Sequence, residues 1–172
     1  MRLLEETGYM HIQATKPDTI GVALRDSPVG LAAYMLEKYP LWTNPEWKNL
    51  DDGGLTKKFK LVDLLDNVMI YWVTGCITTS MRLYAECFSK EYFDLHMASI
   101  PTTVPSACAR FSHELVYQPE TVLRDKFVNL VHVADYEGGH FAAAEEPELL
   151  ANDLYIFVEK VENNIDANNN VP

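Results

Sequence analysis

Residues 129–134, Asn-Leu-Val-His-Val-Ala, run into Asp135-Tyr136-Glu137-Gly138-Gly139-His140-Phe141 and then into a helical stretch from about Glu146 to Val161. The first run is short and β-branched and reads as the best strand in the chain. A strand that feeds a helix through a glycine-rich loop constrains the chain to the α/β class with a parallel sheet. Few other strands emerge. Asp94 to Pro101 alternates enough to be one, ending in a loop, and Thr102 to Ser112 reads as a loop with a short helical start. Two or three strands cannot make a doubly covered sheet alone, so the chain reads as the end of a βαβ array.

The rest is expected to be helical. Met1 to Thr15 can be a helix with Gly8 as its weak point, and Lys16-Pro17-Asp18-Thr19 breaks it and caps a second one, Thr19 to Leu24. Asp26-Ser27-Pro28 is another start signal, leading into Val29 to Tyr39, which Pro40 is expected to stop. Leu41 to Lys60 reads as irregular. In Leu61 to Phe88, the residues Leu61, Leu64, Leu65, Val68, Met69, Trp72 and Val73 recur at three-and-four spacing, which predicts one helix broken near Thr74-Gly75. Glu120 to Lys126 is a short helix, and Asn163 to Pro172 a polar, frayed tail.

With 48% apolar and 23% charged residues the chain can bury a sizeable core. A formal net charge of −11 repels polyphosphate and argues against a nucleic-acid partner. Cys76, Cys87 and Cys108 are odd in number and lack CxxC spacing, which argues against a disulfide framework or a zinc site; no metal or cofactor is expected. The best apolar stretch, Val68 to Ile77, has about half of the roughly 20 residues a spanning helix needs. Met1-Arg2-Leu3-Leu4 meets Glu5 and Glu6 without an apolar signal region, as if the chain began inside a larger domain.

A histidine in the loop after a parallel strand sits at the carboxyl edge of the sheet, where α/β active sites lie. His140 is so placed, and imidazole is the side chain poised for proton transfer near neutral pH. Glu114 lies 26 positions upstream, in the loop region after the preceding strand. A carboxylate after one strand and a histidine after the next form the acid–base pairing of many α/β hydrolases, the carboxylate holding the imidazole tautomer. Asp135 is the runner-up for that role, and His113 and Glu120 also compete. Tyr9 and Tyr84 stand among nine tyrosines, and their residue types alone do not raise them above packed rings.

Longer strings carry a resemblance. Gly8-Tyr9-Met10-His11-Ile12-Gln13, Thr15-Lys16-Pro17-Asp18-Thr19, Asp26-Ser27-Pro28-Val29-Gly30-Leu31-Ala32-Ala33-Tyr34 and Leu36-Glu37-Lys38 resemble the microsomal epoxide hydrolase family. Asp52-Gly53-Gly54-Leu55, Asn67-Val68-Met69-Ile70-Tyr71-Trp72, Gly138-Gly139-His140-Phe141-Ala142-Ala143 and Glu145-Glu146-Pro147-Glu148-Leu149-Leu150-Ala151 continue it in the same order. The likeness runs from about Arg2 to Val161, and from Phe111 to His140 it leans toward the insect juvenile hormone epoxide hydrolases.

The resemblance implies a partial α/β-hydrolase fold: residues 1–61 belong to the helical cap and its return, 62–162 to the C-terminal part of the core, and 163–172 to a polar tail. It implies that His140 is the water-activating base, that Glu114 orients it, and that Tyr9 and Tyr84 donate hydrogen bonds to the epoxide oxygen. The family's nucleophilic Asp sits in a Gly-Gly-Asp-Trp-Gly-like string. Neither that string nor the His-Gly-Trp-Pro-like oxyanion segment nor a membrane anchor occurs in these residues, and Pro101-Thr102-Thr103 departs from the usual Pro-Thr-Gly.

The expected function is therefore that of the water-activating half of an epoxide hydrolase. The parent would act on a small apolar epoxide at the endoplasmic reticulum, in detoxification or juvenile hormone catabolism, and the isolated chain would be inactive. The alternatives are a shortened copy that binds a lipid-like epoxide without turnover, and a related ester or haloalkane hydrolase. The paired tyrosines argue against the latter, since esterases draw oxyanion donors from backbone N–H groups.

Overall fold

The computed structural model describes residues 5–169. They form two compact units: one is the chain up to Leu41 together with Glu46–Met97, the other Trp42–Pro45 together with the residues from Ala98 onward. The division after Met97 differs from the boundaries at 61 and 162 read from sequence.

The first unit is helical. It contains α1 (Gly8–Thr15), α2 (Pro17–Asp26), α3 (Pro28–Leu36), the start of α4 (Lys38–Thr43), a 3-10 turn (Pro45–Asn49), α5 (Leu55–Lys58), α6 (Leu61–Thr74), α7 (Ile77–Cys87) and α8 (Lys90–Asp94). Pro17 and Pro28 open α2 and α3 at the position where a missing N–H costs nothing, and the Ser27 hydroxyl caps α3 by accepting from Gly30 N–H at 3.0 Å. Pro40 does not stop a helix as expected. The chain ends α3 at Leu36 and carries Pro40 within the first turn of α4, where no earlier carbonyl awaits its N–H. The stretch expected to be irregular holds the 3-10 turn and α5.

The break after Thr74 is present. Gly75 takes a left-handed φ of 64°, and α7 leaves α6 at 92°. Leu24, Leu31, Val68, Ile77 and Met81 form the core that this bend encloses, with α2 and α1 against α7 and α3 against α6. Only Leu64 and Val68 of the periodic set in α6 are buried; Leu61, Leu65, Met69 and Val73 are exposed. Among the described residues no single helix is long and apolar enough to cross a membrane; α6 and α7 meet that test only when taken together across their bend.

The second unit is built on a two-stranded parallel sheet: β1 (Ser106–Phe111), α9 (Glu120–Lys126), β2 (Leu130–Tyr136), α10 (Ala142–Glu145) and α11 (Pro147–Asn169). The earlier strand is not where the alternation placed it. Asp94 to Pro101 holds the end of α8, whose N-terminus the Ser89 hydroxyl caps, and a 3-10 turn at Met97–Ser99. The strand falls instead at Ser-Ala-Cys-Ala-Arg-Phe, a segment with no β-branched residue. Pairing with β2, not intrinsic preference, makes it a strand.

The sequence-based helix 146–161 extends to Asn169, so residues 163–169 are helical and the remainder of the expected tail lies outside the described residues. Once its first turns are docked, a helix propagates into polar sequence at one hydrogen bond per residue.

Docking of α11 rests on buried polar groups as well as on packing. Asp153 Oδ1 lies 2.6 Å from His132 Nε2 and accepts the Tyr136 hydroxyl at 2.7 Å, while Lys160 Nζ approaches His132 Nδ1 at 2.8 Å. His132 and Asp153 are both buried.

Candidate active site

The register of the sheet positions the site. Phe111 pairs with Tyr136 at the carboxyl ends of the strands, and the ladder continues beyond them: Ser112 N–H donates to Tyr136 O and His113 N–H to Gly138 O, each at 2.9 Å. The loop after β1 is thereby drawn alongside the loop after β2, one residue short of Glu114 on one side and two short of His140 on the other. Glu114 Oε1 then lies 2.8 Å from His140 Nδ1, and also accepts Leu115 N–H at 2.7 Å. A carboxylate at Nδ1 favours the Nδ1–H tautomer and leaves the Nε2 lone pair for accepting a proton. The His140 side chain is 40% exposed, open to a reacting water.

The competing acids are engaged elsewhere. Asp135 is ion-paired with Arg110 at 2.6 Å and accepts the Tyr117 hydroxyl at 3.0 Å. The Arg110 hydrogen bond holds its carboxyl below the usual range. His113 contacts Glu137 at 2.8 Å, and Glu120 pairs with Arg124 one turn along α9.

The backbone under His140 is held closely. His140 N–H donates to Trp42 O at 2.8 Å, and the Trp42 ring lies 5.0 Å from the imidazole, edge to face, and stacks at 6.0 Å on Phe141. A Cβ on Gly139 would stand 2.2 Å from Trp42 O and 2.6 Å from Thr43 Cα, both backbone atoms. Replacing Gly139 with alanine is therefore expected to destabilise this unit by about 1–3 kcal/mol. Denaturant unfolding monitored at Trp42 checks it, and a stability equal to the parent chain contradicts it.

In the helical unit Tyr9 and Tyr84 come together from α1 and α7, their ring centroids 5.8 Å apart and nearly perpendicular. Burial, the neighbouring Tyr84 hydroxyl, a hydrogen bond to it, and Tyr34 push the Tyr9 phenol up to about 12. A raised folded-state pKa favours the protonated form. Its contribution to stability is full below about pH 10 and lost as pH rises toward 12. Tyr9 thus remains an O–H donor at all physiological pH values. A tyrosinate titration should contain an ionisation near pH 12 that Tyr9→Phe removes; an unchanged titration in that variant contradicts the assignment.

No family model matches the chain. Individual relatives do. Juvenile hormone epoxide hydrolase 2 of Ctenocephalides felis is 57% identical over 159 residues, and epoxide hydrolase 1 of Oryctolagus cuniculus 52% identical over 161. The crystal structure of juvenile hormone epoxide hydrolase from the silkworm Bombyx mori superposes with a TM-score of 0.91 at 49% identity, covering 94% of this chain. The chain belongs to the microsomal epoxide hydrolase family. The two curated relatives are matched over 92% and 93% of this chain but over only 34% and 35% of their own length, so it spans about a third of those proteins. The fold is the corresponding part of an epoxide hydrolase α/β fold.

Two residues that accept hydrogen bonds from the backbone at 139–141, Trp42 and Glu145, escaped the sequence reading. Trp42 sits in a stretch read as irregular, and its carbonyl meets His140 nearly a hundred positions on. Glu145 was visible in the Glu-Glu-Pro string after His140, but nothing in that string singles it out from Glu146.

Proposed function

We propose that the chain is the water-activating part of an epoxide hydrolase, which converts an epoxide and water to a vicinal diol through an ester intermediate. The hydrogen bond between His140 and Glu114 carries this reading, at the strand ends where the α/β fold places its chemistry. The similarity to named epoxide hydrolases supports this reaction.

In the first step a carboxylate supplied outside residues 1–172 attacks an epoxide carbon. The carbon–oxygen bond breaks, and the oxygen takes a proton through the hydrogen bonds offered by Tyr9 and Tyr84. Donors aimed at a developing alkoxide lower the barrier because they stabilise charge that the ground state lacks. In the second step His140 Nε2 takes a proton from water as the water oxygen attacks the ester carbonyl carbon. The diol leaves, the carboxylate is regenerated, and the proton taken up by His140 is returned to the tyrosine that gave one up in the first step. Glu114 stabilises the imidazolium formed in between. On this reading the helical unit belongs to the cap and the sheet unit to the core.

The substrate we infer is a small apolar epoxide, with juvenile hormone suggested by the names of the insect relatives, and the location we infer is the endoplasmic reticulum membrane. No cofactor enters either step. The test is diol formation from styrene oxide and a juvenile-hormone-like epoxide. An enzyme containing this chain together with its nucleophile segment should form diol, and residues 1–172 alone should form none. Diol made by the isolated chain and lost on His140→Gln would sink the divided-site reading.

A further inference from the structure

Resting on that reading of His140, we propose that Glu145 is a positioning residue for the catalytic loop, a carboxylate clamp that fixes the peptide units on both sides of His140. Its two oxygens are divided between two amides. Oε2 accepts Gly139 N–H at 2.8 Å and Oε1 accepts Phe141 N–H at 2.9 Å. The amide between them, His140 N–H, goes to Trp42 O at 2.8 Å. Consecutive N–H groups at 139, 140 and 141 are thus all tied, and they fix the backbone from which the imidazole projects.

Glu145 is 6% exposed, at the end of the short helix α10. A buried carboxylate is costly to desolvate unless hydrogen bonds satisfy it, so its retention in that place reflects the amides it binds. Charge-assisted bonds of this kind are stronger than neutral ones. The two amides bond different oxygens of Glu145, a division that the two equivalent acceptors of a carboxylate provide. Glutamine is nearly isosteric but would face one of the two N–H groups with its own NH2.

The clamp acts on chemistry through geometry. The hydrogen bond from His140 Nδ1 to Glu114 exists only while the two loops keep their alignment, and that hydrogen bond selects the tautomer with a basic Nε2. Loosening the backbone at 139 and 141 should let the imidazole leave Glu114 and sample the other tautomer. The fold need not change for this to happen.

The test uses the 15N-labelled chain and two readouts that need no turnover: the His140 tautomer from ring-nitrogen shifts, and amide hydrogen exchange. Glu145→Gln should accelerate exchange at Gly139 or Phe141 by about tenfold, the loss of about one hydrogen bond. It should shift His140 from predominantly Nδ1–H toward a mixture, while the β1 and β2 amides stay protected. Glu145→Asp, which keeps both acceptor oxygens, should retain more of the native tautomer than Glu145→Gln.

A Glu145→Gln chain with native tautomer and native loop exchange overturns the proposal. If that variant also exposes the strand amides, Glu145→Asp decides. An equal loss of the native tautomer in Glu145→Asp overturns the clamp and leaves Glu145 a stability residue only. Failure of the functional reading looks different: an enzyme containing this chain would keep its turnover in His140→Gln while the tautomer results stood.

Discussion

Replacing His140 with glutamine in an enzyme containing this chain should lower diol formation by about 10²–10⁴-fold, the usual contribution of a positioned general base. The loss should fall on one step. The carboxylate attack on the epoxide needs no proton acceptor at Nε2, so the ester should still form and should accumulate, visible by mass spectrometry as the enzyme plus one substrate. Hydrolysis of that ester needs water to be deprotonated, which glutamine cannot do. Glu114→Gln should be milder. An amide oxygen can still accept from Nδ1–H where Oε1 stands at 2.8 Å, but it does not stabilise the imidazolium. Wild-type turnover in His140→Gln, or loss without trapped ester, would remove His140 from the hydrolytic step.

The strand that leads into the His140 loop was legible in sequence because its signals are local: a brief β-branched run, paired glycines, a helix start. The helix Glu120–Lys126 and the break at Gly75 were legible for the same reason. The partner strand was not. Ser106–Phe111 has no strand preference of its own and is extended because Ala107 to Phe111 pair with His132 to Tyr136, information held about 25 residues away. Asp94–Pro101 had the alternation of a strand and is not one: Asp94 closes the short helix that the Ser89 hydroxyl caps, and Met97–Ser99 form a 3-10 turn.

The candidate pairing of Glu114 with His140 came from loop order and family likeness together. The sheet register supplies the physical reason that likeness could not. Asp135, nearer in sequence, is held by Arg110 from the adjacent strand, and nothing in the local string announces that. Trp42 and Glu145 stayed hidden because what they contribute is a carbonyl direction and a division of two oxygens, features of the folded backbone.

Asp153→Ala should cost the chain about 2–5 kcal/mol, the penalty for leaving two donors without their acceptor. Lys160 approaches His132 Nδ1 at 2.8 Å, and an ammonium can only donate, so Nδ1 is the acceptor and Nε2 carries the proton that faces Asp153. The carboxylate takes both that N–H and the Tyr136 hydroxyl on one oxygen, and alanine strands both donors beneath α11. Asp153→Asn keeps an acceptor oxygen for them and should cost less.

The pH dependence separates this cluster from simple loss of packing. The hydrogen bond to Asp153 pushes the Tyr136 phenol up to about 12, so the protonated phenol contributes its full share of stability below about pH 10 and loses it as pH rises toward 12. The gap between wild type and Asp153→Ala in denaturant unfolding should accordingly narrow over that range, and a gap constant through pH 12 would show that Asp153 supports α11 by volume rather than by the hydrogen bonds it accepts.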